Sequence, residues 1–176
     1  MINYVEKYHH HLYYSLVLWC FGIFILQRIE PFSLKIGTAV PVLLLPAVMV
    51  IACFLREWSG FISGLLCGIA LDTVTNGIGS FNTFNTIALM LLGAAVGLTF
   101  RFLLNRNIKA MIIISVLGSL LFFLLKWLFL DLFGGDPSEY GLLIRYHLPS
   151  AIYTSLFAIP FFYYARHLCK KYLIEQ

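Results

Sequence analysis

An all-α integral membrane protein, six transmembrane helices in a compact bundle with kinks in helices 2 and 6, is the fold this sequence predicts. Three observations carry it. Of 176 residues, 61% are apolar and only 11% charged, against about 25% charged in an ordinary soluble domain. A soluble chain this short has too little interior to hide so much apolar side chain and still present a polar coat. The apolar residues also gather in runs of about 20, the length that crosses a bilayer as a helix. Between them lie only short polar breaks, "QRIEP", "REW", "DTVTNGIGSFN", "NRN" and "GGDPSEYG". These leave no stretch for a soluble domain, so residues 1–176 read as one transmembrane domain.

The spans follow in order. The first, about 12–27, comes after Lys7 and so has the flank of a signal peptide. No small-x-small cleavage site follows it, and the chain goes on as "FILQRIEP", so it reads as an anchor. His9, His10 and His11 just before it point in three directions on a helix, which is poor metal-ligand geometry and suits a solvated interfacial cluster. The second span, about 36–55, carries Pro41 and Pro46, and the sixth, about 148–168, carries Pro149 and Pro160. Each proline removes a backbone hydrogen bond and is read as a bend. The third span, about 58–74, is the least hydrophobic; the fourth covers about 83–104 and the fifth about 108–129. Tyr4, Tyr8, Tyr13, Tyr14, Tyr163, Tyr164 and Trp127 suit interfacial anchors. Cys20, Cys53, Cys67 and Cys169 form no C-x-x-C pair and read as inert, small packing residues.

Basic residues orient the bundle. Six crossings put the N-terminus, the second and fourth loops and the C-terminus on one side, with Lys7, Arg56, Arg101, Arg106, Lys109, Arg166, Lys170 and Lys171. The other side has Arg28, Lys35, Lys126 and Arg145, with the acidic loop around Asp131, Asp136 and Glu139. The positive-inside rule then places both termini in the cytoplasm. The net charge of +4 thus reads as topology and attraction to anionic membrane lipid, not as a nucleic-acid footprint, because no basic patch with interleaved aromatics lies outside the spans.

The third span holds the most pointed pattern. In "GFISGLLCGIALD", Gly60, Gly64, Gly68 and Asp72 recur every four residues, which places them on one helix face with a slow drift. Ser59, Ser63 and Cys67 form a second small row beside it, and the fourth span answers with "GAAVG", where Gly93 and Gly97 are four apart. A groove of glycines lets another helix approach closely and gain backbone dispersion contacts. These faces are expected to pack tightly, against each other or against a partner's transmembrane helix. Asp72 lies roughly 24 Å along the helix from Arg56, near the outer edge of the hydrocarbon, where a carboxylate needs a partner. Lys126 of the fifth span comes to a comparable depth and is one candidate. In the other arrangement Asp72 caps the "TVTNG" turn while Lys126 snorkels towards Asp131.

Catalysis finds no constellation. There is no second intramembrane acid to form a dyad with Asp72, no G-x-S-x-G, no H-E-x-x-H and no phosphate-binding loop. Neither an enzyme nor a metal or cofactor site is expected.

The run "GFISGLLCGIALDTVTNGIGSFNTFNTIAL", the basic "RFLLNRN" after it and the long apolar fifth span resemble the rod shape-determining protein MreD family. The likeness is best over residues 56–110 and rests on Gly60, Gly64, Gly68, Leu71 and Asp72, followed by Gly79. Where the family has Leu-Gly in the loop, this chain has Ile78-Gly79. The resemblance implies a non-enzymatic, multi-pass component of the bacterial inner membrane, working in the cell-elongation complex that builds peptidoglycan. Its partners there would be an MreC-like bitopic protein, an MreB-like filament and the wall synthases. The small faces of the third and fourth spans would meet partner helices, and "RFLLNRN" with "RHLCKKYLIEQ" would form a basic cytoplasmic surface. A second reading, the substrate-binding subunit of an energy-coupling-factor vitamin transporter, fits the same helix count. It would turn Asp72, Asn76, Asn82, Asn85, Lys126, Tyr140 and Arg145 towards an outward-facing small-molecule pocket.

Overall fold

The computed structural model describes residues 15, 18–20, 22–25, 41–55, 57–75, 83–104, 106–132 and 143–174. These form α1 (Leu44–Leu55), α2 (Glu57–Thr75), α3 (Phe84–Phe102), α4 (Ile108–Lys126), α5 (Leu148–Leu156) and α6 (Ala158–Ile174). A π-helical turn, Trp127–Leu132, prolongs α4, and another, Leu143–His147, leads into α5. The described part of the first apolar segment, 18–20 and 22–25, is helical, and no strand occurs among the described residues.

At the centre lies α1, in which every residue except Phe54 is buried. A helix that is apolar all round is stable only when it is surrounded, and here α2 and α3 cover one flank while α4, α5 and α6 cover the rest. Its 12 residues rise only about 18 Å, short of a hydrocarbon core of roughly 30 Å. The expected second span is therefore helical over a shorter stretch than 36–55: Pro41 and Val42 are not helical, and 36–40 lie outside the described residues. The Val42 N–H donates to Thr154 Oγ1 at 3.1 Å, which ties the entry of α1 to α5.

The prolines of the second and sixth spans stand near the starts of α-helical stretches. Pro41 precedes α1 and Pro46 lies in its first turn; Pro149 lies in the first turn of α5 and Pro160 in that of α6. At Pro41 and Pro46 the N–H groups of a helix start have no intrahelical acceptor, so proline loses nothing there. In the sixth span Pro160 leaves the Leu156 carbonyl without its usual donor, and one non-helical residue, Phe157, parts α5 from α6. The Phe157 N–H turns back to the Thr154 carbonyl at 3.2 Å.

Among the described residues two stretches, Phe84–Phe102 and Ile108–Phe129, are long and apolar enough to cross a membrane. The outward faces of the bundle are apolar too. Trp58, Ile62, Leu66 and Ile69 of α2 are exposed, as are Ile87, Leu91 and Leu98 of α3 and Ile113, Leu117, Leu121 and Leu124 of α4. Buried positions include Ser63, Asn85, Ser115, Ser119, Ser150, Thr154 and Ser155. Large side chains outside and small or hydroxyl side chains inside make a pattern that suits lipid rather than water as the surrounding medium. Ser63, Ser119 and Ser155 satisfy their hydroxyls by donating to carbonyls three residues back, those of Gly60, Val116 and Ile152.

The remaining contacts seat α4 and the first segment. Gly118 of α4 lies directly under the Met49 methyl of α1, with Met49 Sδ 3.3 Å from where a Cβ would be. Trp19 meets Phe161 edge-on at 4.6 Å and stacks on Tyr164 at 4.8 Å. That contact fastens the first segment to α6. Tyr163 and Tyr164 are exposed and Trp127 is half-buried. Lys7, His9 to His11, Tyr4, Tyr8, Tyr13, Tyr14, Arg28, Lys35 and Arg56 lie outside the described residues, as do Asp136 and Glu139.

Candidate functional site

The glycine row of α2 meets the chain's own α3. A Cβ on Gly60 would fall on the Gly93 carbonyl, one on Gly64 on the Leu89 carbonyl, and one on Gly68 on the Cα of Thr86. Each would come well inside 3.0 Å, closer than real Cβ atoms approach anything. Gly93 is matched in turn against the Gly60 carbonyl, so here the two backbones touch with no side chain between them. A third helix supports the crossing, since a Cβ on Gly60 would lie 2.7 Å from the Ala52 Cβ and one on Gly93 3.0 Å from Val48 Cγ1, both of α1. Gly97 is buried as well. Of the two expected uses of this row, contact between the two faces is what the geometry contains. On this face α3 fills the groove at Gly60, Gly64 and Gly68, meeting Gly60 through Gly93.

Carboxylates stand at both ends of this antiparallel pair. Asp72, half-buried in the last turns of α2, reaches across to the start of α3. Its Oδ1 accepts from the Asn85 N–H at 3.2 Å and Asn85 Nδ2 at 2.9 Å. Its Oδ2 accepts from the Thr86 N–H at 2.8 Å and Thr86 Oγ1 at 2.5 Å. Those two N–H groups are among the first-turn donors that an α-helix leaves unsatisfied. Thr83, the N-cap of α3, makes no side-chain capping bond, so Asp72 supplies the cap from the neighbouring helix. This is a third arrangement beside the Lys126 pair and the "TVTNG" turn cap. The carboxylate is near the C-terminus of its own helix, which the helix dipole disfavours, yet it sits on the positive end of α3, which the dipole favours.

At the other end Glu57, in the first turn of α2, forms an ion pair with Arg101, in the last turn of α3. Each charge suits its own helix terminus as well as its partner. The Arg101 guanidinium also lies 5.0 Å from the Phe102 ring centroid. Arg101, expected as part of an open basic surface, is thus engaged, though still 43% exposed.

The other basic residues divide. Arg106, Lys109 and Arg166 share the rim of one cavity, between the α3–α4 connection and α6. Lys170 is exposed, and the Lys171 side chain lies outside the described residues. Lys126 is half-buried in the last turn of α4, where a cation suits the helix C-terminus. Of the residues that a vitamin pocket would use, Asp72 and Asn85 are bonded to each other and Arg145 is exposed, while Asn76, Asn82 and Tyr140, with Gly79, lie outside the described residues.

Sequence reasoning passed over Glu57, Thr86, Gly118 and Thr154. A signal existed for the first two. Glu57 stands three residues before Gly60, and Arg101 four after Gly97, so each extends a glycine face by one turn. Thr86 closes the doublet "NTFNT" ahead of an apolar run, the composition of a helix start. Gly118 and Thr154 carry no such mark, because their partners Met49 and Val42 are distant in sequence.

A family model described as rod shape-determining protein MreD matches residues 9–172 of the chain. No curated protein and no solved structure matches it.

Proposed function

The chain belongs to the rod shape-determining protein MreD family, and from that premise we propose that it is a non-enzymatic, six-span component of the complex that elongates rod-shaped bacteria. The family is one of inner-membrane proteins and its role is in rod shape determination. In the proposed reading the six spans are those of the sequence pattern, and both termini face the cytoplasm. The helices act as a rigid body that holds partners in register: an MreC-like bitopic protein, an MreB-like filament and the wall synthases. The observation that carries the reading is the family match over nearly the whole chain. The bundle is compatible with it, because glycines and hydroxyl side chains pack inside while large apolar side chains of α2, α3 and α4 face outward.

That division also bears on where a partner helix would dock. With α3 in the glycine groove, a partner within the bilayer would meet the outward stripe of α2, Trp58, Ile62, Leu66 and Ile69. The test is photocrosslinking in the native bacterium from Ile62 and Leu66, with the buried Phe122 as an interior control. Capture of a bitopic protein with a periplasmic coiled coil, or of wall synthases, from the outward positions alone is the expected result, together with loss of rod shape on depletion. Capture of a transmembrane coupling subunit with its ATPases, and unchanged cell shape on depletion, would overturn the reading in favour of a transporter.

A further inference from the structure

A cavity of about 650 Å³ opens where the α3–α4 connection meets α6. Three cations line it: Arg106 before α4, Lys109 in its first turn, and Arg166 from α6. Among the described residues none of the three forms an ion pair, whereas Arg101, nearby in sequence, has Glu57. The backbone adds to the positive charge. The cavity contains the start of α4, whose first turn has no acidic residue and whose N-cap, Asn107, makes no side-chain capping bond. A helix N-terminus carries a partial positive charge and unsatisfied N–H groups, and sequences commonly place an acid there. Here the sequence places a lysine. Three like charges and a positive helix end repel one another unless an anion lies between them.

The other wall of the cavity is apolar and includes Leu104, Ile108 and Ile113. Ile113 begins an exposed stripe on α4 that continues through Leu117, Leu121 and Leu124. From Ile113 to Leu124 the helix rises about 16 Å, close to half of a roughly 30 Å hydrocarbon core. An anion-binding head and an apolar track one leaflet deep describe an amphiphile rather than a free ion.

We propose that this cavity holds the phosphate of an anionic glycerophospholipid among Arg106, Lys109 and Arg166, with an acyl chain along Ile113, Leu117, Leu121 and Leu124. The site depends on the chain lying in a membrane and not on its membership of any complex. It would seat one lipid at a set place on the bundle and so couple its position to the anionic lipid of that leaflet.

The test is native mass spectrometry of the full chain, released from phosphatidylcholine bilayers with and without phosphatidylglycerol. The expected result is one long-chain phosphatidylglycerol retained in preference to phosphatidylcholine. Arg106→Gln/Lys109→Gln/Arg166→Gln should weaken that preference about a hundredfold, since each cation near an anionic surface contributes roughly fivefold. Arg145→Gln, about 30 Å of helix away from Arg166, should leave it unchanged. Because Arg106 could also matter for packing, Lys109→Gln/Arg166→Gln, made at two exposed side chains, serves as the second variant, with roughly a 25-fold loss expected. Retained preference in both variants would overturn the proposal. So would equal occupancy by inorganic phosphate or dihexanoyl phosphatidylglycerol, which marks a free-anion site, or an acidic protein segment bound by the same cations in place of lipid.

Discussion

Removing the Asp72 carboxylate should loosen the bundle at the junction of α2 and α3, and the size of the effect can be worked from its contacts. Asp72→Ala takes the acceptors from two first-turn N–H groups of α3 and from the side chains of Asn85 and Thr86. Losing a side-chain cap costs about 1 kcal/mol, each hydrogen bond to a charged group contributes about 1.5–3 kcal/mol, and the helix dipole adds about 0.3–1 kcal/mol. These figures describe one electrostatic interaction from three sides and do not add. Asp72 is only half-buried, so water recovers part of the loss. The net expectation is about 2–4 kcal/mol, roughly a 30- to 700-fold change in the folded-to-unfolded ratio. Reversible SDS titration in mixed micelles, followed by tryptophan fluorescence, reads this directly. Thr86→Val removes the hydroxyl and leaves the N–H, so it should cost about 1 kcal/mol. In double-mutant cycles Asp72→Ala should couple to Thr86→Val and add to Lys126→Met. Destabilisation below about 0.5 kcal/mol, or coupling to Lys126 that exceeds coupling to Thr86, would refute the capping argument.

Two further outcomes follow from the glycine contacts. Gly64→Ala should destabilise by about 3 kcal/mol in the same titration, because its Cβ meets the Leu89 carbonyl and the Met90 Cα, main-chain atoms that move only if α2 and α3 part; Gly22→Ala, with nothing within 4 Å, should be neutral or stabilising by up to about 1 kcal/mol. Gly118→Ala should cost only about 1 kcal/mol because the end of the Met49 side chain can yield, and combined with Met49→Ala it should cost less than the two singles together, a non-additivity the double-mutant titration measures.

How far the site was legible depended on whether its parts recur along one helix. The Gly60, Gly64, Gly68 and Asp72 row is periodic in a single segment, and a four-residue period has only one geometric meaning on a helix. What the row faces was not legible, because α3 and a foreign helix would offer the same kind of surface. Asp72 was assigned a depth and a need for a partner, but depth alone favoured Lys126. Four of its bonds run to Asn85 and Thr86, on the helix that the glycines draw close. The prolines met the same limit. A proline within an apolar run looks the same whether it bends a helix or begins one, and only the chain's path decides that Pro46 and Pro160 stand in first turns.

Composition and periodicity by themselves determined an all-helical membrane chain and the close-packing face of the third span. These are properties of one strand of sequence in one solvent, and hydropathy and a fixed helical pitch are sufficient to state them. Tertiary structure alone decided that α1 is wholly enclosed, that α2 and α3 are clamped by Asp72 at one end and Glu57 at the other, and that Arg106, Lys109 and Arg166 converge on one cavity. Each of these is a meeting of residues far apart in sequence. Their spacing is set by how helices pack in three dimensions, and that leaves no periodic mark on the chain.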